Sequence, residues 1–269
     1  MLQYHSAICE ILGIPPVVSP QRLDVLAERE HLCCTEWPAS VIEWFAIADA
    51  EIWFHRHTNH DHLVHIQELG DYEQNVQGWL HVAWENQGVV LWYCKLDGTD
   101  DPPVWHDDNC YGDVPFAQIP WGQESLSFSG FIIDSLAQSH YGSWYKGLHI
   151  DATSPSFPDT MRGTLQSHFK PGPFTEQGQQ KVYRFYNEHT LISVAIGKLS
   201  EKVKWTIHPV SQQALREVLS VLKPALTWLE SWETKGHREW STQLGEYLPT
   251  LAGQRVLDEY RNSVEIPDN

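Results

Sequence analysis

The chain has 269 residues, of which 42% are hydrophobic and 13 are tryptophan, a content that excludes a disordered protein and suffices for one large domain or two small ones. The formal net charge is -17 at pH 7, and it is concentrated in residues 1–124, which hold 20 Asp and Glu against 4 Lys and Arg. Residues 125–269 hold 15 against 14. A negative field of this size repels nucleic-acid phosphates and anionic lipid surfaces and attracts basic partners.

The N-terminal segment and the cysteines bear on location. MLQYHSAICEILGIPP has neither a basic n-region nor a small-residue cleavage site, and no later run approaches the roughly 20 apolar residues of a membrane span. The five cysteines form no C-x-x-C pair, which argues against a disulfide framework and against a zinc ribbon. We therefore expect a cytoplasmic protein in a reducing environment.

Two helices are predicted near the N-terminus, each opened by a proline. Ser19-Pro20 has the form of an N-cap and a first helical residue. The inner face of that helix is expected to hold Leu23, Leu26 and Ala27. A second helix is predicted after Trp37-Pro38, with an apolar stripe formed by Val41, Ile42, Phe45 and Ala48.

A β-hairpin is predicted next. Residues 79–84 alternate Leu80, Val82 and Trp84 on one face with His81 and Ala83 on the other, and a β-branched and aromatic run follows the turn at 85–88. Beyond the Pro102-Pro103 pair, a short edge strand is expected to start at Val104. Residues 125–142 return to helical spacing.

The second half of the sequence predicts a connector, three strands and further helices. Residues 151–180 lack apolar periodicity, which favours a long connector. KVYRFY, TLISVAIG and VKWTIHPV are predicted strands, with a turn at 187–189 between the first two. Ser211 is expected to cap a helix carrying Leu215, Val218, Leu219 and Leu222, and a last helical region is expected over 226–260. This order of elements favours an α+β fold over a regularly alternating α/β sheet.

The segment HRHTNHDHLVH, residues 55–65, contains five histidines and a metal-like pattern. Its start reads H-x-H-x-N-H, one residue from the H-x-H-x-D-H pattern of the metallo-β-lactamase fold, with His55, His57 and His60 as candidate ligands. The position of the second-metal aspartate is Asn59, which is neutral and cannot act as a carboxylate ligand or base. We therefore predict a surface segment and no native metal, and a metal-dependent hydrolase is kept as the alternative.

A second block of residues carries a family resemblance. AWENQGVVLWYCKLDGTDDPPVW, residues 83–105, resembles the SUKH superfamily, which joins yeast cell-wall-assembly regulators to bacterial toxin-immunity proteins. The family pattern is a strand ending in E-N-Q-G, a second strand with an aromatic core residue, and an aspartate-proline-valine segment. The matching residues are Glu85, Asn86, Gln87, Gly88, Trp92, Asp101, Pro102, Pro103 and Val104, and the upstream Trp37 and Pro38 resemble the family's proline-started helix.

The resemblance implies a fold and a class of function. It implies a SUKH-like domain over 1–142, with a mainly antiparallel sheet packed with helices, and a C-terminal α+β extension over 143–269. It also implies a protein without catalytic activity or cofactor that binds another protein, in the bacterial members a toxin. A regulatory scaffold, as in the yeast members, is a further alternative.

The motif residues are interpreted as mainly structural. Gly88 and Asn86 suit a tight turn with positive φ, Glu85 and Gln87 can bond free backbone groups there, and Trp92 can fill a core. The candidate contacts to a basic partner, such as a nuclease toxin, come from the acidic run and its neighbouring tryptophan: Asp100, Asp101, Trp105, Asp107 and Asp108.

Overall fold

The computed structural model divides the chain into two compact units, residues 1–136 and 137–269. The structure describes residues 2–58, 61–71, 78–107, 115–142, 149–177, 180–197, 203–209, 211–222, 231–235, 238–241 and 246–249. Helices and antiparallel sheets occur together, so the fold is α+β, as predicted. Among these residues, no helix has both the length and the apolar character needed to cross a bilayer.

The first unit combines helices with one antiparallel sheet. The described helices are α1 (Ser6–Leu12), α2 (Pro20–Cys33), α3 (Ala39–Ala46), α4 (Ala50–Arg56) and α5 (Phe128–Gly142), within which the boundary between the units falls. The described strands, which are also neighbours in this order, are β1 (His62–Leu63), β2 (Trp79–Trp84), β3 (Leu91–Lys95), β4 (Val104–Asp107) and β5 (Gly122–Ser125).

Helix α2 begins as predicted but buries less than expected. Ser19 Oγ accepts a hydrogen bond from Arg22 N at 3.4 Å, which is the N-cap contact. Of the expected inner face only Leu26 is buried, since Leu23 is 40% exposed and Ala27 is also exposed. The helix is held in addition by polar contacts, because Arg22 Nε donates to the carbonyl of Phe45 at 2.6 Å.

Helix α3 begins after Pro38, as predicted, but it ends two residues before Ala48. Ile47 is extended, with ψ 134°, and pairs with Val18 in an isolated β-bridge. Asp49 then adopts a left-handed conformation with φ 60° and precedes α4. The predicted stripe therefore belongs to α3 only as far as Phe45, because backbone pairing with residue 18 interrupts the helix.

The hairpin is confirmed, although its faces differ from the prediction. β2 and β3 pair antiparallel, with Leu80 opposite Cys94 and a bulge between His81 and Ala83. Four consecutive β2 residues are buried: Leu80, His81, Val82 and Ala83. Residues that the prediction assigned to opposite faces are therefore both buried, which requires cover on both sides of the sheet.

The prediction of an edge strand at Val104 is wrong. β4 lies between β3 and β5, with Val104 opposite Cys94 on one side and Ser125 on the other. β5 was not predicted because its sequence, GQES, has no β-branched or aromatic residue. The helix predicted from 125 starts at Phe128, since residues 122–125 belong to this strand.

The second unit is built on a larger antiparallel sheet. Besides the end of α5, its described helices are α6 (Asp159–His168) and α7 (Gln212–Leu222). Its described strands are β6 (His149–Ser154), β7 (Lys170–Pro171), β8 (Thr175–Gln177), β9 (Gln180–Asn187), β10 (Thr190–Ile196), β11 (Val203–Pro209), β12 (Ser231–Lys235), β13 (Arg238–Ser241) and β14 (Glu246–Pro249). The strand order of the large sheet is β12-β6-β11-β10-β9-β7, with β8 also on β9 and a separate β13-β14 pair.

The predictions for this unit are confirmed where apolar residues recur at regular strand or helix spacing. β9, β10 and β11 are the three predicted strands, and Ser211 Oγ caps α7 by accepting from Ala214 N at 3.1 Å. The apolar side chains of α7 and of one sheet face form one buried core with residues of α6, among them Leu165, Phe185, Val194, Trp205 and Leu219.

Two predictions for this unit are wrong. Residues 151–180 are not a connector, because they contain α6 and the strands β7 and β8 as well as most of β6. The described parts of 226–260 are strands, not helices: β12 pairs with β6, with Trp232 opposite Ala152, and β13 pairs with β14. Short polar strands such as these form because they pair with neighbouring strands, and the local sequence pattern contains no information on that pairing.

Candidate functional site

The acidic run predicted to contact a partner includes a residue that stabilises the fold. Asp101 accepts hydrogen bonds from the backbone N of Ser129 at 2.9 Å and from its hydroxyl at 2.5 Å. Ser129 lies in the first turn of α5, so Asp101 caps this helix from a distant loop and places a carboxylate at its positive end. The neighbouring Pro102, Pro103 and Val104 are buried. These positions of the family-like segment are therefore structural.

Asp100 is the exposed member of the same run. Its side chain faces solvent, while its backbone carbonyl accepts from Ser40 N at 2.9 Å at the start of α3. Burial raises the pKa of the Tyr4 phenol, and the charges of Asp100, Asp101 and Glu43 raise that pKa further. A group of carboxylates thus lies together at this end of the first unit, and Asp100 presents its charge outward.

Asp107 does not form part of an exposed acidic surface. It is 5% exposed and lies in β4 opposite Leu91, so the expectation that this aspartate faces solvent is wrong. Asp107 is the last residue of β4 and pairs with Leu91 of β3, so it belongs to the sheet and not to the polar turn that the sequence context suggests. Asp108 lies outside the described residues.

Trp105 belongs to an aromatic cluster that sequence analysis did not find. Its ring stands edge-on to Trp79, with centroids 6.2 Å apart, and Trp79 stacks on Trp121 at 4.5 Å with planes 8° apart. Tyr93 lies against Trp121 at 5.2 Å and against Phe116 at 6.0 Å. We refer to Trp79, Tyr93, Trp105, Phe116 and Trp121 as the aromatic cluster. Tyr93 is buried at its centre, whereas the other four are half-buried.

The aromatic cluster lies on the face of the first sheet that carries Tyr93. The opposite face contacts a helix, because Trp92 meets Phe131 of α5 at 5.6 Å. Part of the signal was in the sequence, since Trp79, His81, Tyr93 and Trp105 occupy alternating positions of three strands. Phe116 and Trp121 were not predictable, because they come from an irregular segment that folds over the sheet.

His81 lies beneath the aromatic cluster and is 2% exposed. Its Nε2 lies 3.0 Å from the carbonyl of Ala83, and its ring is 4.9 Å from that of Tyr93. Burial lowers the pKa of His81 to about 4, against a smaller raising effect of the hydrogen bond to Ala83. A neutral imidazole therefore forms part of this apolar layer at neutral pH.

The E-N-Q-G turn has one residue with positive φ, Gly88 at 71°, which donates to the carbonyl of Glu85 at 2.7 Å. Asn86 does not have a positive φ, so the expectation of a left-handed conformation at this residue is wrong. Its backbone N–H donates to Asp61 Oδ1 at 3.2 Å. Glu85 Oε2 accepts from Gln87 N at 2.8 Å, as expected. Trp92 packs on Phe131, and Trp37 is buried.

The histidine segment is described in part. His55 lies in α4, 4.7 Å from the ring of His62, which stacks on Trp84 at 5.4 Å. His57 stacks on Trp53 at 5.8 Å, and His60 lies outside the described residues. Among the residues that the structure describes, no three His, Cys, Asp or Glu side chains are grouped so as to hold a metal ion. His55 and His57 are thus engaged with neighbouring rings.

The charge divides along the boundary between the units. Residues 1–136 contain 21 Asp and Glu against 4 Lys and Arg, a net of -17, and residues 137–269 contain 14 of each, a net of zero. Two of the four cations of the first unit are paired internally, Arg22 with Glu51 and Arg29 with Asp71. The first unit therefore presents a strongly negative surface.

Comparisons with protein-family models, with curated proteins and with solved structures find no match to this chain.

Proposed function

We propose that this chain is a non-catalytic immunity protein that neutralises a basic toxin by stoichiometric binding. The observation that supports the proposal is the separation of charge: the first unit has a net charge of -17 and the second has none. A field of this strength, confined to one unit, accelerates encounter with a cationic partner and orients it toward that unit.

The chemistry of such a partner follows from the sign of the field. Toxins that cut nucleic acids have basic surfaces, because they must bind phosphates. A strongly acidic protein can occupy that surface in place of the substrate. Stoichiometric binding requires no catalytic group of its own, and the resemblance of residues 83–105 to the SUKH superfamily supports the same role.

The proposed location is the cytosol, where a toxin made in the same cell would have to be blocked. The described cysteines Cys9, Cys33, Cys34 and Cys94 carry free thiols, which is compatible with a reducing compartment.

The test is co-expression with basic nuclease toxins, beginning with any toxin-like product that is encoded next to this gene. Growth should be rescued, and rescue should require at least one immunity chain per toxin. Association of the purified pair should slow by about tenfold or more between low and high salt, because salt screens long-range attraction. Rescue by amounts far below the toxin would instead indicate an enzyme and overturn the proposal.

A pair of matched variants separates the two units. Glu36→Lys with Asp100→Lys reverses two exposed charges of the first unit, and Glu188→Lys with Glu217→Lys makes the same net change in the second. The first pair should slow association several-fold, and the second should have little effect. Equal slowing by both pairs would show that only total charge matters, and no slowing by either would remove the electrostatic basis of the proposal.

A further inference from the structure

Helix α2 exposes one face to solvent. Leu26 is the one residue of this 14-residue helix that is buried. Leu32 is 61% exposed, the highest value among the large hydrophobic side chains that the structure describes, and Leu23 is 40% exposed. Two neighbouring rows at i, i+4 spacing are exposed throughout and form what we call the α2 face: Leu23, Ala27 and His31 in one row, and Asp24, Glu28 and Leu32 in the other.

The helix divides its charges between two sides. Its arginines, Arg22 and Arg29, lie on the side opposite the α2 face, where each pairs with a carboxylate of another segment. Asp24 and Glu28 lie on the α2 face itself, and among the described residues neither has a hydrogen bond or an ion pair. Like charges four residues apart destabilise a helix, so the fold gains nothing from this pair.

Other carboxylates of the first unit are engaged within it. Glu43 accepts from the N–H groups of residues 3–5, and Asp101 caps α5. Glu30, on the same helix as the exposed pair, accepts from Trp37 N at 2.6 Å. The two carboxylates of the α2 face have no such bond, and their charge is directed at solvent.

The sign of this charge limits what can cover the α2 face. A second copy of the chain would bring like charges together, and an anionic lipid surface would be repelled. A protein surface on which lysine or arginine surrounds aliphatic side chains complements both the leucines and the carboxylates. We propose that the α2 face is the contact surface for such a basic, aliphatic face of the partner protein. This inference rests on the proposed function, since it assigns the position of the interface of a basic partner.

The test titrates peptides into the full chain at physiological ionic strength, where charges beyond about 8 Å are screened. The probe consists of two copies of Lys-Leu-Ala-Lys-Leu-Ala-Lys; one control has serine for leucine, and the other has glutamate for lysine. The probe should bind several-fold more tightly than the serine control, which has the same charge, and the glutamate control should not bind. In a heteronuclear NMR titration, the backbone amide signals of residues 23–32 should shift most, and those of β9 to β11 should not shift.

Matched charge variants locate the contact. Asp24→Asn with Glu28→Gln should lower the affinity for the probe several-fold, because the removed charges lie at the contact. Asp97→Asn with Asp100→Asn removes the same charge from an exposed turn of the same unit and should have little effect at this ionic strength.

A second pair of variants tests the apolar part of the contact. Leu32→Ser should remove most of the preference for the probe over the serine control. Phe174→Ser changes a side chain that is 50% exposed in the second unit and should leave that preference intact. Thermal unfolding checks that each variant retains the fold.

The outcomes separate this inference from the proposed function. If the serine control binds as well as the probe, or if the two pairs of charge variants act equally, the α2 face is not the interface, although charge-driven binding stands. If no lysine peptide binds even at low salt, both proposals fail. Binding of the glutamate control would show an apolar surface without selection by charge, and a dimer abolished by Leu32→Ser would assign the face to self-association; either result overturns the inference.

Discussion

The two units of this chain bury their sheets in different ways. In the first unit, four consecutive residues of β2 are buried, 80–83, because helices cover one face and aromatic side chains cover the other. In the second unit, β11 alternates over 203–207, with Val203, Trp205 and Ile207 buried, Lys204 exposed and Thr206 half-buried. Alternation of apolar and polar residues can be recognised in a sequence only where the two faces of a strand have different environments. The strands are therefore easier to predict in the second unit.

The first unit fixes its helices by long-range contacts in addition to local caps such as that of α2 by Ser19. In the first, carboxylates bond backbone groups far away in sequence: Glu43 accepts from the N–H groups of Gln3, Tyr4 and His5, and Asp101 accepts from Ser129. In the second, α7 is capped locally by Ser211. Part of the acidity of the first unit therefore stabilises its fold, and the remainder is available to a partner.

The largest effect on stability is expected in the regular core of the second unit. Trp205 is 1% exposed, packs 5.3 Å from Phe157, and donates from Nε1 to Ser154 Oγ at 2.8 Å. Trp205→Ala should lower the free energy of unfolding by about 3–5 kcal/mol, measured by chemical denaturation, because it leaves a cavity and removes the hydrogen bond that Ser154 Oγ accepts. Trp53→Ala, at a half-buried site, is the control and should cost less.

Hydrogen exchange can show where that loss falls. Amides of β9, β10 and β11 should exchange faster in Trp205→Ala, and those of β2 to β4 should be unaffected. Equal acceleration in both sheets would show that the two units unfold together. The two units would then not differ in stability, although they differ in how their sheets are buried.

A pH effect of intermediate size is expected in the first unit. The pKa of His81 is lowered by burial to about 4 from an ordinary value of 6.5. Above pH 6.5 the imidazole is neutral in the folded and unfolded states alike. Between pH 6.5 and 4 the unfolded chain binds the proton and the native state does not, so stability falls by up to about 3 kcal/mol as the pH is lowered.

The measurement is the free energy of unfolding from pH 7 to 4 in the parent chain and in His81→Asn and His81→Phe. Both variants should flatten the pH dependence, whatever their stability at pH 7. His5 has a pKa lowered by burial and contributes in the same direction, so it should account for part of the slope that remains. A profile unchanged in both variants would contradict a neutral buried His81.

The smallest effects concern the two helix caps. Asp101→Ala removes a charged cap with two contacts and should destabilise by about 2 kcal/mol, whereas Ser211→Ala removes one neutral contact and should cost about 1 kcal/mol. Thermal or chemical unfolding measures both. If Asp101→Ala costs less than Ser211→Ala, the distant carboxylate does not stabilise α5 as its geometry indicates.

The sequence by itself determined the elements whose signals are local. Ser19-Pro20, the turn at Gly88 and the cap at Ser211 each act within a few residues, and the strands β9 to β11 have dense β-branched and aromatic composition. The concentration of negative charge in the first part of the chain is also a property of the sequence alone.

Tertiary structure decided the features that depend on pairing and packing over distance. It buried Asp107 in an interior strand, used Asp101 to cap a helix 28 residues away, and made a strand of GQES by placing it beside β4. It also assembled the aromatic cluster, with Trp121 stacked on Trp79. The local sequence pattern reflects only the environment of neighbouring residues. These contacts form when distant segments meet, so that their polar groups bond to one another and their rings pack together.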